Sequence, residues 1–215
     1  MSARHNQPPR LEGKQRSEVP PADSRLPAVF LDRDGTIIEE VGYLNHIDRV
    51  RLYPWSAKAI RKLNQAGLPV IVMTNQSGVA RGYFPEELVR RVHQKIAREL
   101  AARGARVDAF YYCPHYPNGP VKAYGQACHC RKPETGMIDE AAKRFKINVS
   151  ASFVVGDSYR DMRMGFRAGA RTVLVMTGYG RGEYAYHRQR WLRKPDQIAE
   201  NLQDAAEKIL KQLAR

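Results

Sequence analysis

Apolar residues along this chain fall into two patterns that take turns. Largely apolar runs occur at Ala28 to Leu31, Pro69 to Met73, Ala109 to Tyr112, Ser152 to Val155 and Thr172 to Met176. None alternates regularly with polar residues, which is the pattern of strands buried on both faces of a parallel sheet. Between the runs, apolar positions recur at helical spacing. Pro54 opens one such stretch, which ends at Gly67 with Ile60 and Leu63 facing inward. Pro85 opens a longer one that stops near Gly104 and carries Leu88, Val92, Ile96 and Leu100 on one stripe. His93 stands among charged residues there and is expected at the surface. A third helix, Gly136 to Phe145, buries Ile138, Ala142 and Phe145, and a short fourth reaches Gly169. Pro195 precedes a terminal helix with Ile198, Leu202, Ile209 and Leu213 inward. This alternation predicts an α/β fold, a doubly wound Rossmann-like parallel sheet.

Three stretches stand outside the pattern. Residues 1–25 are rich in Pro, Arg, Glu, Ser and Gln and almost free of large apolar residues, so they are expected to be a disordered extension to a single domain over 26–215. Ile37 to Asp48 has neither helical nor strand period. A long loop leaving a strand end is usually functional, so this one is expected to cover a site and touch its ligand. Thr177 to Arg190 is also read as a loop.

Charge adds a preference for anions. The 215 residues carry a formal net charge of +14. Lys and Arg are spread along the chain and not packed into one block, which favours a basic soluble surface over nucleic-acid binding. No run approaches transmembrane length, and the N-terminus lacks the apolar core of a signal peptide. The expected protein is therefore cytoplasmic, with no membrane or nucleic-acid partner, and a monomer.

The chemistry-bearing residues cluster where the apolar runs end, and in open α/β sheets ligands bind just beyond the carboxyl ends of strands. The first run passes directly into Asp32-Arg33-Asp34-Gly35-Thr36. Two carboxylates there can divide attack and proton transfer, and a cation that relieves their repulsion would be Mg²⁺ by its oxygen ligands. Gly35 and Thr36 are expected to turn backbone N–H groups toward a phosphate. The second run ends in Thr74-Asn75-Gln76-Ser77, donors suited to phosphoryl oxygens and substrate. Arg131 and Lys132 supply the positive charge that phosphate needs, and the fourth run ends in Asp157, with Asp161 behind it.

The three cysteines form a separate signal. Cys113-x-His115 and Cys128-x-Cys130 flank a twelve-residue loop, which supplies the two close pairs of a tetrahedral Cys₃His zinc site. An odd cysteine count argues against a disulfide framework. His129 is an alternative donor, though its side chain is expected to point away. With all four positions filled by protein the zinc would be structural, fixing the loop that delivers Arg131 and Lys132.

Asp32-x-Asp34-Gly-Thr, Thr74, Lys132 and Gly156-Asp157-x-x-x-Asp161 together resemble the four motifs of haloacid-dehalogenase-superfamily phosphatases, over residues 28 to about 180. The strings Phe30 to Ile37, Thr74 to Gly82, Tyr111 to His115 and Cys130 to Pro133 resemble more narrowly that superfamily's sugar bisphosphate phosphatases. The resemblance implies a haloacid-dehalogenase-like fold without a large cap domain, Mg²⁺ dependence and a zinc-bearing loop. It implies a phosphorylated sugar substrate on the route to a nucleotide-activated sugar for a bacterial surface polysaccharide. It also implies roles: Asp32 as nucleophile, Asp34 as acid and base, and Mg²⁺ held by Asp32, the Asp34 carbonyl and Asp157. Thr74 and Lys132 would hold the phosphoryl oxygens, and Arg131 the far end of the substrate. Histidinol-phosphate phosphatases are the nearest alternative; they usually carry an acidic residue at the Ser77 position. A nucleic-acid 3′-phosphate-processing enzyme is the other, motivated by the charge and the basic, aromatic stretch Tyr179 to Arg193.

Overall fold

A computed structural model describes residues 25–214. The extension read over residues 1–25 lies outside the described residues, except Arg25. At the centre of the fold is β1 (Val29–Leu31), whose three residues are all fully buried. It pairs in parallel with β2 (Val70–Asn75) on one side and β4 (Phe153–Gly156) on the other. Beyond these lie β3 (Ala109–Cys113), β5 (Arg171–Val175) and β6 (Gln197–Ala199), giving the parallel order β3-β2-β1-β4-β5-β6.

Alternate strand residues feed two separate cores. Val29 and Leu31 join Val70, Val72, Val155 and Val173 on one face. That face is covered by α1 (Ser56–Gln65), α2 (Glu86–Ala101) and α6 (Leu202–Leu213). Phe30, Ile71, Met73 and Val154 face the opposite way, under α3 (Gly136–Phe145) and α4 (Tyr159–Ala168). Burial on both faces explains the uninterrupted apolar runs. From β1 the chain winds outward through β2 and β3, then returns to β4 and winds the other way. The crevice where the direction changes opens at the carboxyl ends of β1 and β4, the usual ligand position in such sheets.

The structure differs from the sequence reading at several points. β2 continues through Thr74 and Asn75, so both sit on the strand and not in the loop after it. Thr177 to Arg190 is not a plain loop: it winds through a helical turn, α5 (Gly180–Gly182), a π turn (Glu183–His187) and a 3₁₀ turn (Arg188–Arg190). Ile198 lies on the edge strand β6, not on the terminal helix, and both it and Leu213 are more than a third exposed. In α3 the fully buried positions are Met137, Ile138 and Ala141; Ala142 and Phe145 pack at the margin of the core. His93 is buried, only 7 % exposed, against the expectation of a surface residue.

The segment after β1 is anchored rather than loose. Ile37, Ile38, Leu44 and Val50 are all buried in the core. Arg49 donates to the Tyr43 and Val41 carbonyls and to Asn45 Oδ1, which pins the tip of the loop.

Candidate active site

A cavity of about 500 Å³ opens at the carboxyl ends of β1, β2 and β4. Asp32, Asp34, Thr74, Asn75, Gln76, Ser77, Arg131, Lys132 and Asp157 all line it, so the structure gathers residues from 32 to 157 at one place. The anchored loop supplies Glu40, Gly42, Tyr43 and Leu44 to the same wall.

Lys132 is the hub. Its ammonium is buried and donates to Asp32 Oδ1 and Asp161 Oδ1, both at 2.6 Å, and to the Met73 carbonyl at 2.9 Å. Burial works against its charge, but Asp161 and Asp32 overcome that and raise its pKa above the ordinary lysine range. Asp161 is fixed in turn by a capping box at the start of α4, accepting from the Ser158 backbone and hydroxyl. Asn75 spends both ends of its amide on the Lys132 backbone: Oδ1 accepts from Lys132 N at 3.0 Å and Nδ2 donates to Lys132 O at 3.2 Å. Asn75 lines the cavity and in this geometry also positions Lys132.

Asp34 is held by a fan of donors. Arg33 donates from Nε to Oδ2 and from Nη2 to Oδ1, at 3.1 and 2.9 Å. Gln76 Nε2 donates to Asp34 Oδ2 at 3.0 Å and to Thr74 Oγ1 at 2.9 Å, and Thr74 Oγ1 lies 3.4 Å from Asp34 Oδ2. Thr74 and Gln76 thus orient a carboxylate as well as lining the cavity.

Gly35 and Thr36, expected to face a phosphate, have other partners in this structure. The Gly35 N–H donates to the Ile38 carbonyl and the Thr36 N–H to the Arg33 carbonyl, and neither residue lines the cavity. The turn takes up these two N–H groups itself, while the buried Thr36 hydroxyl is left without a partner among the described residues. The need for glycine has a different cause. Gly35 has φ +77°, and a Cβ there would stand 2.0 Å from Asp157 Oδ2; one at Gly178 (φ +50°) would stand 2.1 Å from the same oxygen. The two glycines leave a cradle for the Asp157 carboxylate, which accepts from the Tyr179 N–H at 2.8 Å.

Carboxylate oxygens of Asp32, Asp157 and Asp161 lie within 4.8 Å of one another. Burial pushes the Asp32 carboxyl up to about 7, against the pull of Lys132 and with help from Asp161 and Asp34. Asp157 is raised well above the carboxylate range, first by burial and then by Asp32 and Asp161. Lys132 ties Asp32 and Asp161 but not Asp157. All-oxygen donors, an excess of buried negative charge and a cleared cradle suit a small hard dication such as Mg²⁺.

The second cluster lies at the end of β3. Cys113 Sγ and Cys130 Sγ each lie 3.4 Å from Cys128 Sγ, and His115 Nδ1 is 3.5 Å from Cys130 Sγ. Tetrahedral zinc with bonds of about 2.3 Å to sulfur sets sulfurs roughly 3.8 Å apart, so the four donors fit such an ion with little movement. Hydrogen bonds from Cys113, then His115 and Cys128, hold the Cys130 thiol down to about 5 despite burial. His129 points away, its Nε2 on Asp139 Oδ2 at 3.0 Å. Arg131 donates from Nη1 to the His115 carbonyl at 3.1 Å, which ties the cavity wall directly to this cluster.

Sequence reasoning missed Arg33, taken only as the spacer between two aspartates, although a buried arginine beside a carboxylate is a recognisable pairing. It also missed Arg160, Tyr179 and His187 on the cavity wall, whereas Glu40 falls in the loop expected to cover the site. Arg160 stands at the start of α4, and Tyr179 and His187 lie in the stretch read as loop.

Parallel order, paired aspartates after β1, a buried lysine and an aspartate after β4 define a haloacid-dehalogenase-like hydrolase, and residues 129–205 match the HAD-hydrolase-like family. The chain belongs to the D-glycero-β-D-manno-heptose-1,7-bisphosphate 7-phosphatase family. The Yersinia pestis enzyme of that name is 41 % identical over 154 residues, covering 71 % of this chain and 82 % of its own. The Rhodopseudomonas palustris enzyme is 47 % identical over 145 residues, covering 67 % and 81 %. Among solved structures, D,D-heptose 1,7-bisphosphate phosphatase from B. bronchiseptica, complexed with magnesium and phosphate, is 36 % identical with a TM-score of 0.78, covering 87 % of this chain and 99 % of its own. The corresponding Burkholderia thailandensis enzyme is 33 % identical with a TM-score of 0.63, covering 86 % and 98 %.

Proposed function

We propose that this chain is an Mg²⁺-dependent phosphatase that removes the 7-phosphate of D-glycero-D-manno-heptose 1,7-bisphosphate. One observation carries the reading. Asp32 stands on the cavity wall with one carboxylate oxygen held by Lys132, beside an Asp34 oriented by Arg33, Gln76 and Thr74. The named relatives support the same substrate. We place the activity in one domain over 26–215, in a cytoplasmic monomer making nucleotide-activated heptose; among the described residues no helix is long and apolar enough to cross a membrane.

In the proposed reaction, the free Asp32 oxygen attacks phosphorus. An Asp32–phosphorus bond forms, the bond to the sugar oxygen breaks, and Asp34 gives that oxygen its proton. Water then attacks the aspartyl phosphate, Asp34 takes its proton back, and Asp32 is released as carboxylate. Of the donors on Asp34, the Thr74 hydroxyl can turn and accept, which leaves a place for the proton. Lys132, whose three N–H groups are taken by Asp32, Asp161 and the Met73 carbonyl, would turn one of them from Asp32 to a phosphoryl oxygen, and Ser77 binds substrate near it. Mg²⁺, held by Asp32, the Asp34 carbonyl and Asp157, would offset charge on the phosphoryl oxygens. Arg131 grips the second phosphate or the sugar. Cys113, His115, Cys128 and Cys130 would hold zinc, which would fix the loop from which Arg131 takes its bearing.

Phosphate release should be compared across both anomers of the heptose bisphosphate, fructose bisphosphate, histidinol phosphate and a 3′-phosphorylated oligonucleotide. The heptose bisphosphate should give the highest kcat/KM, and only with added Mg²⁺. Preference for histidinol phosphate or the oligonucleotide would refute the assignment.

Two variants test the loop. Cys128→Ser should copurify with much less than the roughly one zinc per chain expected of the parent. The sheet should survive, because the core strands lie outside the loop, and circular dichroism checks this. Turnover should fall about a hundredfold, the cost of displacing a positioning group by about 1 Å, and KM should rise. Arg131→Ala should cost the sugar bisphosphate far more than a small aryl phosphate that lacks the second phosphate. Equal losses on the two substrates would move Arg131 to the reacting group.

A further inference from the structure

His93 is a buried, titratable side chain with no place in the reaction above. It lies on α2 and meets Arg33, which lines the cavity. Its ring stacks on Phe110, with centroids 4.7 Å apart and planes 19° apart, and meets the edge of Tyr112 at 5.6 Å. Its Nε2 stands 3.3 Å from Arg33 Nη1.

Arg33 is 1 % exposed, and its other nitrogens are committed to Asp34. A guanidinium has no acceptor and is planar, so the partner of Nη1 fixes the plane in which Nε and Nη2 meet the carboxylate. We infer that His93 is a positioning residue: as the acceptor for Arg33 Nη1 it sets the guanidinium plane that aims the Asp34 carboxylate into the cavity.

This inference rests on the reading of Asp34 as the acid and base of the proposed phosphatase. The neutral ring can accept only if its proton is on Nδ1, which defines the tautomer. The groups facing the ring are consistent with a neutral imidazole. Phe110 and Tyr112 enclose it, Tyr112 gives its own hydroxyl proton to Glu86, and burial followed by the Arg33 charge lowers the His93 pKa to about 3. The neighbours therefore leave His93 one polar task, at Arg33.

His93→Phe and His93→Gln separate this role from simple packing. Phenylalanine keeps the stack on Phe110 and removes the acceptor, whereas glutamine loses the ring and can supply an acceptor oxygen. In the Mg²⁺-loaded enzyme acting on the heptose bisphosphate, kcat of His93→Phe should fall about tenfold or more with KM nearly unchanged, as for a misplaced acid and base. His93→Gln should recover to within about threefold of the parent. An activated aryl phosphate, whose leaving group needs no proton, should lose less in His93→Phe. Nitrogen NMR of the labelled imidazole should find Nε2 unprotonated and Nδ1 protonated. Full activity in His93→Phe, equal losses in both variants, or a proton on Nε2 would overturn the role. Failure of the underlying reading has a different signature, namely an Asp34→Asn variant that turns over normally whatever the His93 variants do.

Discussion

Asp32→Asn should fold and be without measurable turnover. The substitution keeps size but removes the anionic attacker, and losing a covalent nucleophile costs on the order of 10⁴-fold or more. The structure argues against a folding explanation. Lys132 keeps Asp161 and the Met73 carbonyl as partners at 2.6 and 2.9 Å, so its buried charge is not orphaned. Removing one carboxylate also removes its repulsion of Asp157, whose pKa is raised first by burial and then by Asp32 and Asp161. Melting temperature should therefore stay near the parent value while phosphate release disappears. A folded Asp32→Asn sample with substantial activity would sink the covalent mechanism.

Lys132→Met should behave in the opposite way, losing both stability and activity. Methionine is apolar and similar in volume, but it leaves Asp32 and Asp161 buried with no cation at 2.6 Å. Breaking a buried pair from one side costs about 3–5 kcal/mol, a large part of the stability of a domain this size. Because Asp161 and Asp32 raise the Lys132 pKa, the folded lysine is charged throughout the neutral range. Its contribution is fully present below the ordinary lysine pKa and is lost only as pH rises through the raised value. The lysine charge itself therefore does not change between pH 6 and pH 8. Denaturant melts of Lys132→Met and parent check the size of the loss. A midpoint equal to the parent's would mean that the triad holds nothing together.

Much of the site was legible because its chemistry restricts residue type. Asp32, Asp34 and Asp157 are charged residues set just after the ends of apolar runs, where a ligand site explains them, and Lys132 stands out beside Arg131 next to the Cys128-Cys130 pair. The Cys113-His115 and Cys128-Cys130 pairs were legible because the two pairs bracket a short loop. What was lost is informative in physical terms. His93 sits on the buried stripe of α2, four residues after Val89 and three before Ile96, but its neighbours Arg90, Arg91 and Lys95 masked the period. β6 is three residues long at the sheet edge, too short for an apolar run, and it merged with the approach to α6. Gly178, Gly180 and Gly182 made the segment after β5 read as loop, whereas local turns wind it beside the cavity. Gly35 and Thr36 were assigned to phosphate because a turn frees its N–H groups in principle; here the turn's own carbonyls take them.

In the proposed reaction a phosphoryl group passes from the 7-position of the sugar to Asp32. Heptose bisphosphate labelled in its 7-phosphate should be mixed with excess enzyme and quenched in acid within the first turnover, and the digested chain mapped for label. The label should appear on the peptide that carries Asp32 and be chased into free phosphate at longer times. Release of labelled phosphate with no label ever on that peptide, or label on another residue, would contradict the account.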